Sequence, residues 1–303
     1  MINHQKDGRI SAETLEGAIA EDINWILPRI QYRGRTVSNV AFQAWAKQFP
    51  ADIRAIPVHI VREIAERYYI GTAQYFESLD DLIAQSGVER RDFVTFCKWQ
   101  CLGRSASRVA HDLKNQGRWR PLEEIDLDAN EADWPDLSAH GGCRWAIVAD
   151  DFVGSGRTIS KLFRSPSPID RVLAKYPQIK IRILLVAGFE TGLRKVQSLI
   201  GPYRDRVGLV VSRLLRDEDR CFVPGNRIFS DAAQSERVRR FCIEVARTHY
   251  PGLPADMRLG HSEIGALAVF FDTVPNNSLP ILWHDEGTWL PLFPASGLPR
   301  GEP

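Results

Sequence analysis

The sequence predicts an α/β protein: a parallel sheet flanked by helices, preceded by an N-terminal helical extension and covered by a hood. Three observations predict it. Apolar runs of strand length recur at 93–99, 145–149, 181–187 and 207–211. Segments of helical periodicity separate them. The run Ile181–Ala187 is apolar almost throughout, as a strand buried on both faces must be. Strands alternating with helices at this spacing read as parallel crossover units.

The elements follow in order. Leu15, Ile19, Ile23, Ile26 and Leu27 share one helical face, with Ser11 placed to cap it and Pro28 to end it. A second helix carries Phe42, Trp45 and Phe49 up to Pro50, and a third carries Ile60, Ile64 and Tyr68. No strand period is visible here. Residues 1–90 are therefore expected to pack as a helical extension on an α/β domain at 91–290, with 291–303 as a tail. The first strand is Phe93–Trp99, followed by a small-residue loop at Gly103–Ser107 and a short helix through Val109, Ala110 and Leu113. The acidic, turn-rich stretch 115–142 is expected as a loop or hood. Strand Trp145–Ala149, strand Ile181–Ala187, helix Thr191–Ile200 and strand Val207–Val211 complete the sheet. A charged loop, Arg213–Arg220, a long helix at 230–249, a strand at 266–271 and a rigid polar stretch at 275–280 follow.

Bulk properties exclude several classes. The chain has 303 residues, 44% hydrophobic and 25% charged, which is ordinary for a soluble protein. Its net charge of +1 argues against a generic binder of phosphate backbones. The apolar runs are too short to span a bilayer, and the polar start is unlike a secretory signal. Five scattered cysteines suggest reduced thiols and a cytoplasmic protein. Cys97 and Cys101 lack the second pair that a zinc site needs, so buried thiols are expected.

The chemistry concentrates in Asp150-Asp151-Phe152-Val153-Gly154-Ser155-Gly156-Arg157-Thr158, behind the run Trp145–Ala149. A strand that ends in two carboxylates sits where open parallel sheets bind ligands. Two carboxylates can accept hydrogen bonds from a pair of sugar hydroxyls. A glycine turn into a helix presents backbone N–H groups to an anion, and Ser155 and Thr158 add hydroxyl donors. Hydroxyl-binding acids adjacent to a phosphate loop describe a site for a ribose 5-phosphate.

This stretch resembles the phosphoribosyl-pyrophosphate (PRPP) binding motif of type I phosphoribosyltransferases: an apolar strand, two acids, three variable residues, then Thr or Ser, Gly, any residue and Thr. The resemblance implies that Asp150 and Asp151 hold the ribose 2- and 3-hydroxyls, partly through water on Mg2+. It implies that Gly154, Ser155, Gly156, Arg157 and Thr158 hold the 5-phosphate. Gly103, Ser105 and Ser107 fall where the family places its pyrophosphate loop, with Arg104 to neutralise the leaving group. Family members acting on purines often carry an acid in place of Gly154, where it contacts the base, so purine salvage is not implied.

The whole chain is similar to phosphoribosyltransferase-like proteins of bacterial conflict systems, including those encoded beside retrons. The carrying features are Trp25 and Pro28-Arg29, the stretch Gly103–Arg108, the Asp150–Gly156 stretch and Thr273–Trp283. That similarity implies an effector or toxin in antiphage defence. Its expected partners are PRPP or a nucleotide-like molecule, a reverse transcriptase with its non-coding nucleic acid, and a second copy of the chain, with no membrane. The other readings are a PRPP or nucleotide sensor without turnover, or a structural subunit of a defence complex containing nucleic acid.

Other features read as structural. The acids Asp126, Asp128 and Asp133 fail as a calcium loop because Glu131 stands where glycine is needed and Leu137 where the closing acid is. Asp217 and Asp219 lie at a strand end from which they could reach the site. Asn276-Asn277 is a turn by default, with a hood contact to a base or ribose as the other reading, and His261 and His284 lack catalytic partners.

Overall fold

The computed structural model describes residues 23–117, 119–137 and 143–295, the Arg104 side chain excepted. The expected helix start at Ser11 and the tail beyond Ala295 lie outside the described residues. A helical turn at 23–26 closes through a 3-10 turn, Leu27–Arg29, that contains Pro28. Then come the hairpin β1 (Gln31–Tyr32) and β2 (Arg35–Thr36), helices α1 (Asn39–Ala46) and α2 (Ile56–Glu63), strand β3 (Tyr69–Ile70) and helix α3 (Thr72–Gln85). The α/β part runs β4 (Phe93–Lys98), α4 (Gly103–Gln116), β5 (Arg120–Pro121), β6 (Ile125–Asp126), β7 (Trp145–Val153), α5 (Arg157–Ser160), α6 (Pro168–Lys175) and β8 (Lys180–Phe189). It continues with α7 (Glu190–Ile200), β9 (Val207–Leu215), α8 (Ala232–His249), β10 (Val269–Phe270) and α9 (Pro280–Trp283).

The main sheet has six strands in the order β5-β4-β7-β8-β9, with β6 also on the β4 edge, and every pair is parallel. Alternation along its strands divides the protein into two apolar layers. Ala146, Val148, Ile181, Ile183 and Leu185 face a core that includes Ile159, Val172 and Val196 from α5, α6 and α7. Ile147, Ala149, Leu184 and Val186 face the other core. That second core joins Phe42, Trp45 and Ile60 of the N-terminal helices to Val238, Phe270, Ile281 and Phe293 near the other end of the chain. Hydrogen bonds tie the same two regions: Tyr32 donates to the Pro294 carbonyl (3.2 Å) and Trp45 Nε1 to the Ile281 carbonyl (2.9 Å). β10 pairs with β3, adding a short parallel ribbon.

Several expectations are corrected. Two short sheets, β1–β2 and β3–β10, occur in a region where no strand pattern is legible. The stretch Gly103–Ser107 is the start of helix α4 and not a loop. Gly103, at φ 77°, ends a 3-10 turn (Gln100–Leu102), after which Arg104 and Ala106 favour a helix and Val109 and Leu113 anchor it in the core. The acidic stretch 115–142 is not a hood in its described part. β5 and β6 satisfy the open edge of β4, where Pro121 is tolerated as an edge residue. Asp128 accepts from the Gln100 N–H (2.7 Å) and Asp126 from the Asp128 N–H (3.0 Å), so these acids brace turns. Arg213–Leu215, expected in a loop, extends β9. The strand expected at 266–271 is reduced to Val269–Phe270.

Candidate functional site

In a regular strand, neighbouring side chains point to opposite faces. The β7–β8 ladder departs from regularity where the acids lie. Asp150 pairs with Leu185 and Phe152 with Ala187, while Asp151 and Val186 are skipped. The next ladder, β8–β9, skips Val186 and Ser212 on the same line across the sheet. The Asp151 N–H donates instead to the Asp150 carboxylate at 2.9 Å. Both carboxylates thereby line one cavity of about 310 Å³ at the carboxyl end of the sheet.

The turn Gly154–Thr158 forms the next wall of that cavity. Gly156 has φ 70°, and a Cβ there would stand 2.6 Å from the Gly192 carbonyl of α7. At Gly154 a Cβ would collide with the carboxamide of Asn277. These glycines thus let the turn nest between α7 and the 273–277 segment. Helix α5 behind the turn has only four residues. Donors at this wall are therefore backbone N–H groups and hydroxyls more than a helix dipole, which needs several aligned turns.

Leu102, Gly103 and Ser105 line the opposite wall, and His261 with Thr273–Asn277 covers the cavity. The cover is thus C-terminal. Asn277 is held there by donating to the His261 carbonyl at 3.0 Å.

The electrostatics are those of an under-compensated anionic pair. Asp150 is 6% exposed and Asp151 5%. Burial, then the charge of Asp151, pushes the Asp150 carboxyl well above its ordinary value. Burial also raises Asp151, against the pull of Arg108 and a hydrogen bond from Ser105. Arg108 Nη2 stands 3.8 Å from Asp151, and its Nη1 is bonded to Asp272. Burial works against the Arg108 charge, but Asp272 and Asp151 outweigh it and hold the guanidinium protonated.

Among the described residues, no group of three or more His, Cys, Asp or Glu side chains is placed to hold a metal ion. Two buried carboxylates nevertheless fit a hard cation that retains several waters and takes ligand oxygens, as Mg2+ does. Asp150 and Asp151 are the residues that would hold it.

Residues 42–295 match the family model PRTase-CE. The chain belongs to this phosphoribosyltransferase-like family. A search of curated proteins found no match. Among solved structures, it is similar to the xanthine-guanine-hypoxanthine phosphoribosyltransferase of Helicobacter pylori, at 11% identity over 49% of this chain and 84% of that one, with a TM-score of 0.29. The orotate phosphoribosyltransferase from Aeropyrum pernix shares 18% identity over 47% of this chain and 72% of that one, also at a TM-score of 0.29. The AQ2163 protein from Aquifex aeolicus shares 13% identity over 58% and 83%, again at 0.29.

In this PRTase-CE chain the cavity brings together Asp150, Asp151, Gly154, Ser155, Gly156, Arg157, Thr158, Gly103 and Ser105. Ser107 is not among them; it is exposed and borders a separate cavity beside Cys97 and Lys98. The Arg104 side chain lies outside the described part of the structure. Asp217 and Asp219 do not reach the site. Asp219 accepts from Tyr68 Oη (2.9 Å) and Asp217 from Arg194 (3.0 Å).

Arg108 and His261 are site residues that sequence reasoning missed. For Arg108 a signal existed. Ser105, Arg108 and Asp112 lie at helical spacing on one face of α4, and they meet Asp151, Asp272 and Tyr75 in turn. Reading 103–107 as a loop hid that face. His261 offers no local signal, since tertiary packing alone brings it to the cavity.

No described helix is long and apolar enough to cross a membrane.

Proposed function

We propose that this chain binds the ribose 5-phosphate moiety of PRPP or a related compound together with Mg2+, as an effector in bacterial antiphage defence. The observation that carries the binding reading is the shared cavity: two buried, mutually repelling carboxylates open onto the same space as a glycine-hydroxyl turn. Ribose hydroxyls donate to Asp150 and Asp151 and relieve the cost of burying them. The turn Gly154–Thr158 takes the phosphate. Held at both ends, the sugar presents its anomeric carbon at a fixed position, which is the contribution positioning makes to glycosyl transfer. Mg2+, when bound, supplies charge neutralisation for a departing pyrophosphate. The wall at Gly103 and Ser105 adjoins the acids and is placed to meet that group.

The defence role rests on the similarity of the whole chain to phosphoribosyltransferase-like conflict proteins. The same similarity proposes a reverse transcriptase with its nucleic acid, or a second copy of the chain, as partners in the cytoplasm. The alternative reading is a sensor that binds without turnover; Asn277 beside Gly154 leaves a neutral carboxamide where an acid would contact a purine base.

The test is calorimetric titration of PRPP with and without Mg2+, paired with an assay of pyrophosphate release. Binding strengthened by Mg2+ is expected. Release on addition of nucleotides or bases marks an enzyme, whereas binding without release marks a sensor. No binding under either condition overturns the reading. For the cellular role, expression with Asp150→Asn and Asp151→Asn should abolish phage protection; full protection by that variant rejects the pocket as the effector site.

A further inference from the structure

The turn 259–265, far from the motif in sequence, is built against the phosphate wall. His261 lines the same cavity as Gly154–Thr158. Ser262 Oγ accepts from Ser155 Oγ at 3.2 Å and from Arg157 Nη1 at 3.4 Å. It also lies 3.4 Å from His261 Nδ1. Arg157 closes the rim with an ion pair to Asp256 at 3.3 Å.

The backbone of this turn is strained. Ser262 has φ 61° and ψ 28°, and Glu263 has φ 54°, two consecutive left-handed non-glycine residues. Such residues are strained and persist only where their surroundings fix them. They do so here: the His261 N–H donates to the Asn276 carbonyl (2.7 Å), the Glu263 N–H to Gly260 (2.7 Å) and the Gly265 N–H to Leu259 (2.7 Å). The consequence of that geometry is to place the His261 ring and the Ser262 hydroxyl opposite the phosphate turn.

We infer that His261 and Ser262 are phosphate-contacting residues, and that together with the Gly154–Thr158 turn they make a two-sided cup for a terminal phosphomonoester. The inference rests on the ribose-phosphate reading above and deepens it. Two hydroxyls 3.2 Å apart, from Ser155 and Ser262, are spaced so that one phosphate group can accept from both once their mutual bond opens. Arg157 and Lys161 supply positive charge beside His261. A monoester carries close to two negative charges and three free oxygens, which suits donors on two sides. An internal phosphodiester has a second ester arm, which the Arg157–Asp256 ion pair at the rim would oppose. The substrate class is therefore a free 5-phosphorylated ribose compound and not a ribose within a nucleic-acid chain.

The test uses the full chain and calorimetry with two probes, ribose 5-phosphate and its methyl phosphodiester. Ser262→Gly removes the hydroxyl while tolerating positive φ, so its melting temperature should equal or exceed that of the unaltered protein. His261→Gln is the second variant. Each should weaken ribose 5-phosphate about ten-fold or more, the worth of one hydrogen bond to a charged group. The unaltered protein should prefer the monoester to the diester by a similar factor. Undiminished affinity in both variants, or equal affinity for monoester and diester, overturns the inference while leaving the ribose-phosphate reading intact. If the unaltered protein binds neither probe, both fall together.

Discussion

Two strands of the sheet, β7 and β9 on either side of β8, each end in acids, and the two ends are treated in opposite ways. At the end of β9, Asp219 accepts from Tyr68 Oη (2.9 Å), the Arg216 N–H (2.7 Å) and Arg227 (3.3 Å). Asp217 accepts from Arg194, the Thr191 hydroxyl and the Thr191 N–H, and Glu218 pairs with Arg227. At the end of β7, Asp150 and Asp151 are as buried as Asp219 but have, among the described residues, one cation within reach, Arg108, which is already bound to Asp272. The first cluster holds a loop in place. The second leaves a buried charge short of partners, which costs stability unless a ligand supplies them. Matching, and not acidity or burial, separates the structural carboxylates from the proposed binding pair here.

That contrast can be broken most directly at the sugar site. Asp150→Asn with Asp151→Asn should reduce ribose 5-phosphate affinity by about 10²–10⁴-fold, since two charge-assisted hydrogen bonds at about 1.5–3 kcal/mol each are lost. Asp217→Asn should leave that affinity within about two-fold; calorimetry that finds the reverse order removes the distinction. For folding, the ranking inverts. Asp219→Ala should destabilise by about 2–4 kcal/mol in urea unfolding, because it strands the buried Tyr68 hydroxyl and the Arg216 N–H, and an unchanged midpoint would show that the β9 cluster is not structural.

A third substitution sharpens the role of packing around the turn. Gly192→Ala places a methyl against the Gly154 carbonyl, so a loss of about 1–3 kcal/mol is expected. Ribose 5-phosphate affinity should fall with it, as the phosphate wall is displaced. Stability and affinity both at the level of the unaltered protein would mean that the close approach is not tight.

The smallest effect has the most diagnostic sign. Asp150 titrates higher in the folded chain than an unfolded carboxyl does. The stability it confers when protonated is complete below about pH 3.9 and is lost as pH rises through its folded value. Asp150→Asn should therefore match the unaltered protein in acid and melt higher at neutral pH, by about 2–4 °C for each kcal/mol recovered. A variant that melts lower at pH 7 than the unaltered protein would show that the carboxylate is stabilising after all.

Much of this was legible in the sequence, for identifiable reasons. The four main strands declare themselves because both sheet faces are covered, so β8 carries almost nothing polar. The acids and glycines of the motif are adjacent in the chain, so their site needed no tertiary knowledge. What stayed hidden depends on contacts between distant residues. β3 has two residues, and its partner β10 lies 200 positions on, Tyr69 pairing with Val269. Asn276-Asn277 could be read either as a turn or as a hood contact, and His261 reaches the cavity only through the fold. The face of α4 that carries Arg108 was lost because small residues at its start suit a loop as well as a first helical turn.

The core that unites Phe42, Trp45 and Ile60 with Ile281 and Phe293 has a consequence for synthesis. The earliest helices have no complete surface to bury against until Ile281 and Phe293 have left the ribosome. Contacts of this sequence separation are slow to form, because chain closure precedes any gain from packing. A nascent chain that has reached only β9 already contains both aspartates and the glycine turn, yet lacks His261 and Asn277. Completion of the cavity is thereby deferred until the segment from His261 to Asn277 has been synthesised.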